Sequence, residues 1–398
     1  MELVQQSPTD PDFVQDPYPF YAGLRAMGDF ARWEDFGLPV ATTSAAVNAI
    51  LRHPKLGRAV PDGRRADIPE RLRPFQDIED HSLLELEAPT HTRLRKLVLK
   101  AFTRRTVMAL APDIRAMAEA LIDDFPSGPF DLLDAYARLV PVQVIARLLG
   151  VPQDMAPQLL SWSNAMVAMY QARRDRAVED AAAAASAEFA AYVRGLIADR
   201  RKALTDDLLS QLVAAEAEGQ RLSEEEVIST TILLLNAGHE ATVHSLGNAV
   251  RHLAGLPGRD RALKPDCLEG TIEECLRFDP PLHMFRRWVY EDVEILGQPF
   301  AAGEEIGCLL GSACRDKDIW TDAETFDPFR PVKSNAAFGA GVHFCVGAPL
   351  ARLEMQIALP LLFERCPSLE IVEPPRVADL YHFRGLERLV VTAKQSTR

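Results

Sequence analysis

Apolar residues in this chain recur mostly at intervals of three and four, and that spacing sets the first expectation. Residues 115–125, 181–201 and 224–253 carry it clearly and are predicted to form helices with one stripe turned to a core. The middle of 181–201 is a run of alanines, which favours helix by propensity but offers little apolar surface. Ser223, with Glu226 three residues on, makes a capping box at the start of 224–253. That helix is expected to exceed twenty residues, and its largely apolar circumference marks it as the central buried element. Strand signals are few and short. Residues 31–43 hold two candidates around a turn at Gly37, and 292–296, 305–309 and 389–392 hold one each. Proline-rich connectors fall at 279–281 and 326–331. With no repeat, linker or change of composition, the pattern predicts a mainly α chain with a small β portion, one domain over residues 1–398.

Composition narrows the function classes. At 47% hydrophobic and 25% charged, the 398 residues match an ordinary globular protein. With 44 basic and 57 acidic residues, the net charge is −13, which argues against general nucleic-acid binding, since that depends on neutralising phosphates. No apolar run reaches the roughly 20 residues needed to cross a bilayer. Residues 1–16 lack a basic stretch followed by an apolar one, so a cytoplasmic, non-membrane protein is expected. Six cysteines stand at 267, 275, 308, 314, 345 and 366, none in a C-x-x-C pair. Zinc ribbons and thioredoxin-type motifs are therefore excluded, and at most one thiol is expected to carry chemistry.

That thiol is Cys345. It lies in Phe338-Gly339-Ala340-Gly341-Val342-His343-Phe344-Cys345-Val346-Gly347, just ahead of a predicted helix with Pro349 in its first turn. A cysteine there meets unpaired N–H groups and the positive end of the helix dipole, which favour a thiolate. The glycines let the backbone approach something large and flat. The segment resembles the haem-ligand loop of the cytochrome P450 superfamily, F-G-x-G-x-H-x-C-x-G, at every fixed position. The resemblance implies an α-rich prism with haem b between the long central helix and this loop. In it Cys345 would be the proximal iron ligand, Phe338 would pack against the loop and His343 would bond a haem propionate.

Further matches follow in family order over about residues 15–395. Glu274-Cys275-Leu276-Arg277 is similar to E-x-x-R; the spacing places both charges on one helical face, and with 326–330 a buried structural ion pair is expected. His91 and Arg95, in Pro89-Thr90-His91-Thr92-Arg93-Leu94-Arg95, resemble the H-x-x-x-R pair that holds a propionate, and Arg287 matches a third propionate position. Arg286 is open: the same carboxylate, a substrate anion or the surface. Ala237-Gly238-His239-Glu240-Ala241-Thr242 resembles A-G-x-(D/E)-T-T, implying a glycine that opens room above the iron and an acid–alcohol pair that relays protons. A zinc H-E-x-x-H is excluded because the next histidine, His244, is five residues from His239, about 140° around a helix. Ala241 departs from the family, which has threonine there. Glu240 is expected to gate protons with Thr242, ordered water or a substrate hydroxyl. Asp16-Pro17-Tyr18-Pro19 and Ala313-Cys314-Arg315-Asp316 resemble the family's D-P-Y-P and A-N-R-D, with cysteine replacing asparagine in the second.

Residues 91–105 contain Arg93, Arg95, Lys96, Lys100, Arg104 and Arg105 and no acid. By resemblance an acidic ferredoxin docks near Arg93, Lys96, Lys100, Arg104 and Arg105, with a separate reductase because no flavin domain follows the match. The substrate pocket is expected from 61–86, 157–173, Leu233, Asn236, Leu282, Met284, Phe285 and Phe383. Asn236 and His283 are candidates to orient a polar group, and Met155, Met166 and Met169 are either lining or core. The expected activity is oxidation of a small hydrophobic molecule by a monomeric monooxygenase using O2. The alternatives are oxidative coupling without oxygen transfer and a haem sensor or carrier.

Overall fold

The capping box at the head of the longest helix is made in both directions. The Glu226 backbone N–H donates to Ser223 Oγ at 3.1 Å and the Ser223 N–H to Glu226 Oε2 at 3.0 Å. Both belong to a computed structural model that describes residues 1–217 and 222–395. The helix runs Glu224–Leu253, as the periodicity predicts. The other two predicted helices are Ala111–Asp123, which starts four residues earlier and ends two earlier than its apolar pattern, and Arg176–Lys202, which extends past its pattern at both ends. Asp175 caps the second through the Val178 N–H at 2.9 Å. Its small alanines at 182, 183 and 185 are buried, and further along Phe189 stacks on Trp162 at 4.9 Å.

The chain resolves into two compact units, each assembled from separated stretches. One comprises Met1–Gly57, Arg115–Ala137 and Ala241–Arg398; the other comprises Arg58–Ile114 and Arg138–Glu240. This discontinuity is why no linker is visible in the sequence expected to form one domain. The second unit is helical. The first also holds a six-stranded sheet in the order Glu2–Val4, Phe30–Trp33, Leu38–Ala41, Glu305–Leu309, Met284–Val289, Leu56–Gly57. The first pair and the third–fourth pair are parallel and the rest antiparallel. Val293–Ile295 and Gln298–Phe300 form a hairpin turned by Leu296 and Gly297, both at positive φ. Val390–Thr392 lies between Glu370–Ile371 and Phe130–Asp131. Of these, Met284–Val289 carries no alternation strong enough to read as a strand, and several others have only two or three residues.

Two buried charge networks organise the first unit. Arg277 Nε and Nη2 each lie 2.7 Å from the Glu274 carboxylate. Arg277 also donates to the carbonyls of Cys314, Ala323 and Thr325 at 3.0, 2.9 and 3.2 Å. The second network centres on Asp279. It accepts from Tyr18 Oη at 2.7 Å and pairs with Arg384 Nε at 2.5 Å and His252 Nε2 at 3.2 Å. Arg384 reaches the carbonyls of Val14 and Gln15, both at 3.1 Å, so the N-terminal and C-terminal segments share one anchor.

Burial disfavours the ionised Asp279, but Arg384, His252 and Tyr18 outweigh it and hold the carboxyl well below its usual range. Asp279→Asn leaves Arg384 buried without its counter-charge and should cost about 3–5 kcal/mol at neutral pH, read by urea unfolding. A depressed carboxylate stabilises fully above the unfolded value near ~4 and progressively less below it. The wild-type advantage should therefore shrink as the pH falls toward 3. A gap of constant size across that range would contradict the assignment.

Candidate functional site

Cys345 is exposed, whereas Cys275, Cys308, Cys314 and Cys366 are buried and Cys267 is intermediate. Its N–H donates to Phe338 O at 3.1 Å, which closes the loop on itself. The helix Ala348–Arg365 begins three residues later. Gly339 and Gly341 sit at φ of 68° and 73°, the left-handed region that glycine adopts without penalty. A Cβ on Gly341 would lie 2.1 Å from Leu51 O, and one on Gly339 2.9 Å from the Phe285 ring. Conformation and contact thus both require glycine. Phe338 lies 6.4 Å from the Phe344 ring and under the Arg352 guanidinium at 4.4 Å. Glu273 grips Arg352 at 2.5 and 3.2 Å. This Glu273–Arg352–Phe338 buttress escapes sequence reading; its only trace is an arginine one helical turn into the segment after the cysteine.

The strand Met284–Val289 sorts its residues by face. Phe285, Arg287 and Val289 share one face, and Phe285 is the residue whose ring meets Gly339 of the cysteine loop. Arg287 is buried on that same side. Met284, expected in the pocket, instead belongs to the opposite core with Leu38, Val40 and Tyr21. Phe285, also expected there, packs against the loop. Arg286 pairs with Glu305 at 3.3 Å and lies over the Phe36 ring. His283, a candidate polar anchor, is buried and bonded through Nδ1 to Tyr21 Oη at 3.0 Å, and burial pushes its pKa far down. Leu282 bridges Phe383, both partly accessible.

From Val227 to Val250 the long helix is buried except at 233, 234, 236–238, 240 and 241. That stripe holds Leu233, Asn236, Ala237, Gly238, Glu240 and Ala241. Asn236 donates to Met166 Sδ at 3.6 Å, while Met166 and Met169 are core. Gly238 does not simply open free space: a Cβ there would meet Ile145 at 3.0 Å. Thr242 is buried, off the stripe. His239 bonds Leu235 O at 2.7 Å, whereas His244 packs on Gly385 and Phe383. No cluster of three potential metal ligands occurs among the described residues.

His91 and Arg95 lie one turn apart on Thr90–Ala101, the first buried and the second half-buried. Lys96, Lys100, Arg104 and Arg105 are exposed. Arg93 leaves that group, because it forks onto Glu226, one contact being 3.1 Å. The stretches 61–86 and 157–173 are clasped together: Tyr170 Oη donates to Glu79 at 2.8 Å and the Phe75 and Tyr170 rings lie 6.3 Å apart. Burial and Glu85 raise the Glu79 carboxyl to about 7.

The donor chemistry fits a haem. The only exposed thiol of the described residues precedes a helix N-terminus, and beside it Val342 and Phe344 stay 62% and 38% exposed. Apolar side chains left accessible around a soft sulfur ligand suit a large flat apolar group held by iron.

Comparison with known proteins agrees. The Cytochrome P450 family model matches residues 260–377. The chain is 36% identical to cytochrome P450 monooxygenase PikC of Streptomyces venezuelae, over 96% of this chain and 92% of that one. It is 35% identical to vitamin D(3) 25-hydroxylase of Pseudonocardia autotrophica, over 96% and 94%. Among solved structures, P450BioI in complex with hexadec-9Z-enoic acid ligated acyl carrier protein superposes with a TM-score of 0.90 at 32% identity, over 96% and 100%. No described helix is long and apolar enough to cross a membrane.

Gly341→Ala should prevent the loop from closing and reduce haem retained on purification at least tenfold. Gly347→Ala, whose Cβ would sit at an ordinary 3.9 Å from Cys345 Sγ, should retain it. Haem retained in full by Gly341→Ala would show that glycine at this position is dispensable.

Proposed function

The chain belongs to the cytochrome P450 family and is a P450 monooxygenase, and we propose that it oxidises a small hydrophobic organic molecule with O2 and electrons from a ferredoxin. The observation that carries this reading is the exposed Cys345 at the mouth of a glycine-held loop. When bound, haem b would supply the iron at which dioxygen is activated, tuned by a thiolate ligand.

The chain's own residues take these roles in the proposal. The Ala348–Arg365 N-terminus steadies the Cys345 thiolate through its N–H groups. His91, Arg95, Arg287 and His343 hold the propionates, and burial of Arg287 beside the cysteine loop supports its share. Glu240 holds and passes protons on the accessible stripe. Ala237 and Ala241 keep that stripe low and apolar, so a substrate can approach closely. Leu233, Asn236, Leu282 and Phe383 line the substrate space; Met284 and Phe285 leave that set. Vitamin D(3) and the hexadec-9Z-enoic acid chain named for two relatives are both largely apolar, which supports the substrate class. Lys96, Lys100, Arg104 and Arg105 would meet an acidic ferredoxin, with Leu99 and Met108 exposed among them.

Cys345→His should keep haem yet shift the ferrous carbonyl absorption from the thiolate to the histidine type. Compounds that raise the high-spin fraction should emerge with one ¹⁸O atom after turnover under ¹⁸O2. An unchanged carbonyl spectrum would remove Cys345 as ligand, and an unlabelled coupled product would replace oxygen insertion by oxidative coupling. Separately, reversing Arg104 and Arg105 to glutamate should slow first-electron transfer from ferredoxin about tenfold at low salt, with the gap closing at high salt. Equal rates at low salt would move the docking face elsewhere.

A further inference from the structure

We propose that His239 and Glu240 form a proton-holding pair on the long helix, with His239 a positioning residue that keeps a proton next to the Glu240 carboxylate. This rests on the proton-relay role given to Glu240 above and names the group that would resupply it.

His239 is 2% exposed, and its Nδ1 lies 2.7 Å from the Leu235 carbonyl. A carbonyl only accepts, so Nδ1 carries a hydrogen and the tautomer is fixed. In the neutral ring Nε2 is then an acceptor. That nitrogen is 3.5 Å from Glu240 Oε2. An ionised carboxylate is also acceptor-only. At 3.5 Å the two acceptors stand at ion-pair distance, beyond the usual hydrogen-bond range, and a proton on either atom turns their repulsion into attraction. The arrangement therefore favours one shared proton, as imidazolium with carboxylate or imidazole with carboxylic acid.

On the same helix His244 stands one turn beyond Glu240, and the charged side chains of three elements that meet this helix are as follows. Leu139–Leu149, which packs on this turn through Ile145, has Arg147 as its only charged side chain, and Asp113 engages it at 3.0 Å. Ala156–Val167, which meets Asn236 through Met166, has no titratable side chain. Arg73–Glu79, bearing Arg73, Asp77 and Glu79, meets the long helix at Ser229, ten residues or about 15 Å along the axis from His239.

Position gives the pair a direction. His239 is buried behind, and Glu240, 16% exposed, lies on the accessible stripe. When Glu240 gives up a proton on the open side, the His239 Nε2–H bond breaks as a Glu240 Oε2–H bond forms. One proton moves and no electrons do. The ring then takes a proton back from solvent, which makes supply at this turn pH-dependent through an imidazole as well as a carboxylate.

The test uses ¹⁵N-histidine-labelled holoenzyme as its diamagnetic ferrous carbonyl adduct. NMR titration should place the His239 protonation midpoint above that of an ordinary imidazole. In Glu240→Gln it should fall by about one pH unit or more, a tenfold loss of proton affinity. Midpoints agreeing within a few tenths would make His239 a core histidine satisfied by Leu235 and overturn the pair. A second readout is hydrogen peroxide release during substrate-free turnover driven by NADPH, a ferredoxin and its reductase. His239→Gln and His239→Asn, checked for intact carbonyl spectra, should flatten its pH profile between 6 and 8. If Glu240→Gln alters that profile while both His239 variants match wild type, the pair falls and the Glu240 role stands. If Glu240→Gln itself matches wild type, the relay role of Glu240 falls, and the pair with it.

Discussion

A buried guanidinium sets the frame on which the cysteine loop hangs. Arg277 is 1% exposed, and taking a cation that deep costs several kcal/mol unless every donor finds an acceptor. Its fork is filled by Glu274, and the remaining N–H groups take the carbonyls of Cys314, Ala323 and Thr325. Those carbonyls lie on chain with little regular structure, so the ion pair, not a hydrogen-bond ladder, dictates its path. Glu274 also accepts the Asp327 N–H at 2.8 Å. The adjoining Glu273 reaches the other way, holding Arg352 over Phe338 at the root of the loop. Two consecutive acids on one helix thus fix both the segment approaching the loop and the ring beneath it. In that arrangement the ion pair does its work by removing alternatives, since a buried pair by itself adds little net stability.

Whether a contact is local decides whether it can be read from the sequence. The glycines at 339 and 341 were legible because their requirement is written in the backbone of those very residues. The capping box at 223–226 and E-x-x-R are legible for the same reason: three residues span one helical turn. Cysteine at 314 in place of the usual asparagine causes no loss there, since Arg277 uses the carbonyl of that residue and not its side chain. Tyr18, in the D-P-Y-P match, finds its meaning only through Asp279, 261 residues away.

Facing is harder to read than identity. Met284 and Phe285 look alike as apolar neighbours, yet a strand sends them to opposite cores. Arg93 looks like one more cation of a basic stretch until Glu226, 133 residues on, claims it. His283 looks like a polar group available to a ligand, but Tyr21 holds it. In each case the missing information was the partner, which no short-range pattern carries.

The long helix carries a motif that is matched in letters but not in facing. A Cβ on Gly238 would meet the Ile145 side chain at 3.0 Å, so close helix packing bears on this glycine. Ala241 lies on the accessible stripe, where the family usually has a hydroxyl. Thr242 is buried and lies off that stripe. The next hydroxyl, Ser245, is spent on the backbone, donating to the Ala241 carbonyl at 2.8 Å. Such a bond from one turn on weakens the helical carbonyl as an acceptor for anything else. The polar side chains on the open stripe are Asn236 and Glu240. With alanine at 241, the carboxylate of Glu240 is the one acidic group on that stripe.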